Sequence, residues 1–75
     1  MKELLEYMVK ALVEKPDEVK VNCLAGERSA ILELTVNEED KGKIIGKDGR
    51  VADAMRKLVN AAGLRQGKRV LLDIL

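Results

Sequence analysis

The sequence contains no histidine, tryptophan or phenylalanine, and Tyr7 is its only aromatic residue. That shortage excludes the RRM, OB and cold-shock designs, which hold single strands by stacking bases on aromatic side chains. Without histidine, the commonest general acid–base group and metal ligand is missing. Cys23 stands alone, so an intrachain disulfide and a cysteine-built zinc site are both ruled out, and a reducing, cytoplasmic setting is expected. Its place in an alternating segment reads as that of a small core residue rather than a nucleophile. Long apolar runs are also missing, because Glu3, Glu6 and Lys10 interrupt the amino-terminal aliphatics. Neither a signal peptide nor a membrane span is expected. These absences together argue against an enzyme and call for no cofactor and no metal.

What is present is aliphatic and charged. Seventy-five residues make one small domain, 1–75, which buries roughly 60–65 % of its unfolded surface around Leu, Ile, Val and Met. Net charge is only +1, but the charge is split along the chain. Residues 1–40 carry five cations against ten acids, and residues 41–75 carry nine cations against three. An asymmetry of this kind points to an anionic partner such as a nucleic acid, met by the second half.

Helical spacing of Leu4, Leu5, Met8, Val9, Leu12 and Val13 predicts a helix over 2–15, ended by Pro16 and Asp17. From Val19 the period becomes two: Val19, Val21, Cys23 and Ala25 share one face of a strand. A turn at Gly26–Ser29 leads to a second strand with Ala30, Leu32, Leu34 and Val36 on one face, so the two should pair as an antiparallel hairpin. Asn37 reads as the cap of a helix whose first turn holds Glu38, Glu39 and Asp40. These acids read as helix-start residues, not as metal or acid–base groups. A further helix begins near Arg50, Gly63 is placed to end it, and Val70, Leu72 and Ile74 mark a last strand. The order α-β-β-α-α-β predicts an α+β fold with a mixed three-stranded sheet. A right-handed helical crossover makes strand two central, and all helices cover one face.

Between the middle helices runs Gly42-Lys43-Ile44-Ile45-Gly46-Lys47-Asp48-Gly49-Arg50. Glycines with Gly46–Gly49 spacing let the main chain come close to a phosphate, and the start of a helix favours an anion there. Lys43, Lys47 and Arg50 supply cations, and Asp48 is placed to cap the second helix. Ile44 and Ile45 lie about 100° apart on their helix, so one enters the core while the other lines a groove beside the turn. A nucleotide-binding P-loop is a poor match, since the glycines are one residue too close and no Ser or Thr follows the lysine.

In this element order, Ile44 to Arg50 resembles the signature of a type II KH domain, and the whole chain is similar to the small stand-alone bacterial KH proteins of the KhpA type. The resemblance implies an RNA-binding protein, a post-transcriptional regulator or RNA chaperone, that holds about four nucleotides of single-stranded RNA between the middle helices and a sheet edge. The site residues it implies are Lys43, Ile44, Ile45, Gly46, Lys47, Asp48, Gly49 and Arg50. It also implies a homodimer, and a heterodimer with a larger KH protein called KhpB or Jag. Two positions depart from the usual pattern: Ala52 replaces a large aliphatic residue, leaving the groove floor shallower or filled by Met55, and Asp48 sets an acid beside Lys47. The alternative is a protein-interaction module on the same scaffold with a vestigial RNA site. Self-association has its own signal, because the apolar arc of the first helix is wider than one core-facing stripe and the open sheet face carries Leu24, Ile31, Leu71 and Leu75.

Overall fold

The three alternating segments become a sheet, and the helically spaced ones fold over one side of it. A computed structural model describes residues 1–75. Its elements are α1 (Lys2–Leu12), β1 (Lys20–Ala25), β2 (Ser29–Thr35), α2 (Lys41–Ile45), α3 (Arg50–Arg65) and β3 (Arg69–Ile74). Short 3-10 turns occupy Pro16–Glu18, Glu38–Asp40 and Lys47–Gly49. β1 and β2 are antiparallel, with Val21 opposite Leu34, and β2 and β3 are parallel, with Ala30 opposite Val70. β2 is therefore central and β3 has a free edge. This is the α+β, type II KH-like arrangement expected from the element order.

The core lies between sheet and helices. Leu5 and Val9 of α1, Ile44 of α2, and Met55 and Val59 of α3 meet Val21, Leu32, Leu34, Val70 and Leu72 from the strands. On the other side of the sheet Leu24, Ile31 and Leu71 line up across the three strands, and all are exposed together with Leu75. No helix is long and apolar enough to cross a membrane.

Three sequence expectations are corrected. α1 stops at Leu12, short of residue 15, and Val13 is already extended; Lys15, immediately before Pro16, is held off the helical region by the proline ring. Cys23 is exposed rather than buried, because the helices leave that stretch of sheet uncovered and it borders a hollow beside Met1 and Gln66. Gly63 does not end α3. It is buried inside the helix, where a Cβ would sit 2.9 Å from the Lys68 carbonyl oxygen and 3.2 Å from Val70 Cβ. Its missing side chain lets α3 lie close to β3, and the helix ends at Arg65 instead.

One buried acid ties the helices together. Asp40 is 2 % exposed, and its carboxylate accepts hydrogen bonds from the amides of Glu14 and Lys15, each at 3.1 Å. This satisfies the charge and pins the segment after α1 to the start of α2.

Candidate nucleic-acid interface

Asn37 opens the segment as expected: its side-chain oxygen accepts from the Glu39 amide at 2.9 Å. α2 follows with one isoleucine on each side, Ile44 fully buried and Ile45 44 % exposed beside the turn. Lys43 reaches back to Glu14, with Nζ 2.7 Å from Oε1. A neighbouring pair joins Lys15 to Glu39 at 3.1 Å, and that hydrogen bond raises the lysine pKa above its ordinary value.

The turn itself uses three left-sided backbone positions in a row of four residues. Gly46 has φ 76° and ψ 175°, a region that side chains essentially forbid, and a Cβ there would lie 2.8 Å from Val51 Cβ and 2.9 Å from Val51 N. Gly49 has φ 74° and ψ 12°, with nothing within 4 Å of the place its Cβ would occupy. Asp48 is left-handed as well, at φ 57° and ψ 25°. That conformation corrects the expected capping role, for no side chain caps α3 and Gly49 occupies the cap position. The Gly49 and Arg50 amides donate to the carbonyls of Gly46 and Lys47 within the turn, and no side-chain oxygen caps the amides that follow them at the helix start. Lys47 and Arg50 flank them, both exposed and free of ion pairs. Chemically, this is a shallow, positively polarised notch at the amino end of a 16-residue helix.

A groove of about 450 Å³ lies between α3 and the free edge of β3, lined by Arg56, Asn60, Arg69, Val70, Leu71 and Leu72. Ile45 does not line it, and Ala52 and Met55 are both buried below α3 rather than forming its floor. Sequence reasoning anticipated a sheet edge but missed Arg56, Asn60 and Arg69. The available signal was the i, i+4 spacing of Arg56 and Asn60, which sets two polar groups on the flank of α3 next to its buried stripe. Arg56 is also braced by Asp53, 3.3 Å away. On the opposite flank, Val51, Ala54 and Leu58 join Tyr7, Met8 and Leu12 of α1 around a second, almost wholly apolar groove of about 490 Å³.

The family model for the KhpA/KhpB KH domain matches residues 2–74. A Clostridium perfringens protein named RNA-binding protein KhpA is 52 % identical over 75 residues, covering all of both chains. Proteins of the same name from Borreliella burgdorferi and Aquifex aeolicus are 53 % identical over 73 residues and 43 % identical over 75. They cover 97 % and 100 % of this chain, and 89 % and 95 % of their own lengths. No solved structure matches the chain. With the glycine turn, the α-β-β-α-α-β order and a match over nearly every residue in agreement, the chain belongs to the KhpA/KhpB KH-domain family.

Proposed function

We propose that the protein binds single-stranded RNA, with the backbone held at Gly46–Gly49 and the bases lying along the groove between α3 and β3. The observation that carries this reading is the uncapped start of α3, where the two positive-φ glycines stand between Lys47 and Arg50 with no acceptor side chain over the amides. Main-chain amides there donate to phosphate oxygens, and the two cations add charge without fixing sequence. Arg56, Asn60 and the exposed Leu71 then offer hydrogen bonds and an aliphatic surface to about four bases, in place of the aromatic stacking this chain lacks. The relatives' name, RNA-binding protein, supports the same reading. The corresponding role is that of a cytoplasmic post-transcriptional regulator or RNA chaperone.

Self-association belongs to the same proposal. Tyr7 is 77 % exposed at the rim of the apolar α1–α3 groove, and a domain of this size gains stability by covering such a surface. A second copy closes it by two-fold symmetry, leaving the α3–β3 groove on the other flank open; a larger KhpB-like chain is the alternative occupant. Ultraviolet crosslinking in cells, followed by sequencing of the RNA and mapping of the crosslinked peptide, tests the RNA reading. The expected product is a crosslink within residues 43–60. Recovery of no RNA above the unirradiated control would favour the protein-interaction module instead.

A further inference from the structure

We propose that the bare face of the sheet is a docking surface for a cationic amphipathic helix of a partner protein. This surface lies away from the glycine turn, so it does not rest on the RNA-binding reading. The strand register places Leu24, Ile31 and Leu71 in one row across the three strands, each at least 38 % exposed. Two residues along, Glu33 and Asp73 face each other on the parallel pair, with Asn22 opposite Glu33 on β1. The ladder then runs one residue past β3, where the Leu75 amide donates to the Leu34 carbonyl at 2.9 Å and a fourth exposed aliphatic side chain joins the same face. Single exposed leucines are ordinary, but these four form one patch with two acids set into it.

Charge decides what kind of segment fits. Neighbouring strands lie about 4.8 Å apart, so the Glu33 and Asp73 carboxylates repel each other across the pair, and like charges in facing positions destabilise a sheet. Neither acid takes part in an ion pair, and the cations of this face, Lys20 and Arg69, stand at its two ends. A lysine or arginine brought in over the acids relieves that repulsion, whereas a phosphate backbone is turned away. Size decides the rest. The apolar row crosses two strand spacings, about 10 Å, and Leu71 to Leu75 covers about 13 Å along the strand, which is the width of one helix and roughly two of its turns. A patch of that size falls far short of the roughly 800 Å² per partner of a stable interface between globular domains, so it suits a single segment better than a second copy of this chain. A helix laid there adds a third layer and covers the sheet on both sides, with leucines at i, i+3 or i+4 and i+7 on the apolar row and basic residues over Glu33 and Asp73.

The test uses a peptide of about 18 residues, five helical turns, built of leucine and lysine at helical spacing, and its counterpart with glutamate in place of lysine. Each is titrated at low salt into the isotope-labelled full chain and followed by nuclear magnetic resonance. The lysine peptide should shift the amide signals of Asn22, Leu24, Ile31 and Glu33, and the glutamate peptide should leave them in place. Glu33→Gln/Asp73→Asn should weaken the lysine peptide by roughly three- to tenfold, a difference that about 1 M salt removes. Leu24→Thr lies outside both grooves and the core, and should weaken it about tenfold at either salt with the melting temperature unchanged. Failure of the lysine peptide to bind, shifts confined to the α1–α3 groove, equal binding of the two peptides, or a double variant that binds as well as the unmodified chain overturns the proposal. A mass above two chains in sedimentation, brought back to two by Leu24→Thr, would assign the face to a second copy and overturn it as well. None of these outcomes bears on the glycine turn, which tetranucleotide titration tests separately.

Discussion

Alanine at Gly46 and alanine at Gly49 should have separable consequences, although the two glycines share nearly the same φ. At Gly49 the backbone is left-handed helical, which costs an L residue about 1–2 kcal/mol, and part of that is offset by about 0.4–1 kcal/mol from stiffening the unfolded chain. The net loss for Gly49→Ala is about 1 kcal/mol, or roughly 4–8 °C in a domain of this size. At Gly46 the ψ of 175° lies outside the left-handed helical well, and strain there is about 1–3 kcal/mol. Overlap of the new Cβ with Val51 adds about 1–3 kcal/mol, because Val51 opens α3 and cannot withdraw without moving the helix start. With the same unfolded-chain offset as at Gly49, Gly46→Ala should therefore lose about 2–5 kcal/mol, against a total stability of roughly 4–11 kcal/mol for 75 residues. Urea unfolding followed by far-ultraviolet circular dichroism reads both values. Binding should divide the other way: the Gly49 Cβ would point into open space, on the proposed path of the phosphate, so Gly49→Ala should remain folded at 25 °C and yet lose affinity for a tetranucleotide. Equal destabilisation by the two substitutions, or wild-type affinity in Gly49→Ala, would refute the geometry on which the site is built.

Replacing Lys47 by Asp sets two acids side by side where phosphate must approach, so tetranucleotide titration should show binding collapse with the melting temperature unchanged. Asp48→Asn keeps a residue that tolerates left-handed backbone and removes the acid beside Lys47; affinity should rise about threefold in the same titration, a Coulomb effect that high salt abolishes. The tetranucleotide alone neutralises only two or three cations, giving a salt slope of roughly −1.5 to −2, and a slope steeper than about −4 would indicate diffuse attraction instead of a groove. Sedimentation equilibrium across the micromolar range should show a mass rising toward two chains, and Leu58→Glu, on the α1–α3 groove, should hold it at one.

The sheet was legible because its apolar residues recur with a period of two, a period that burial follows in β2 and β3, and strand order followed from chain connectivity alone. The Asn37 cap and the opposite fates of Ile44 and Ile45 were legible for a similar reason, since both depend only on local helical geometry. What escaped the sequence depends on contacts between distant segments. Cys23 follows the strand alternation faithfully, and it is exposed only because no helix reaches that part of the sheet. Gly63 looks like a helix terminator until β3 is found lying against it. Asp40 reads as one acid of a first turn, yet it is the partner of two amides about 25 residues earlier in the chain. Arg56 and Asn60 became groove residues when the parallel pairing of β3 put a free strand edge beside α3.

α3 shows why so small a fold can separate its tasks. At about 100° per residue, Ala52, Met55, Val59 and Gly63 form one buried stripe against the sheet. Arg56 and Asn60 fall on one flank of that stripe and Val51 and Leu58 on the other, roughly 170° apart around the axis. A substitution on the buried stripe acts on stability, because it opens a cavity or forces the helix from β3. At Arg56 or Asn60 it acts on the polar groove and at the exposed Leu58 on the apolar one, whereas Val51 also packs against the core. The notch at Gly46–Gly49 sits at the end of the same helix, so any force that tilts α3 moves the notch and both grooves together. Asp40 limits that tilt from the other direction, since it fastens the start of α2 to the end of α1, the helix that forms the far wall of the apolar groove. Covering the apolar groove with a second copy would therefore stiffen the frame that holds the glycine turn and also reach Arg50, which lines that groove and flanks the turn, and this is how association and RNA binding would become coupled through one rigid helix.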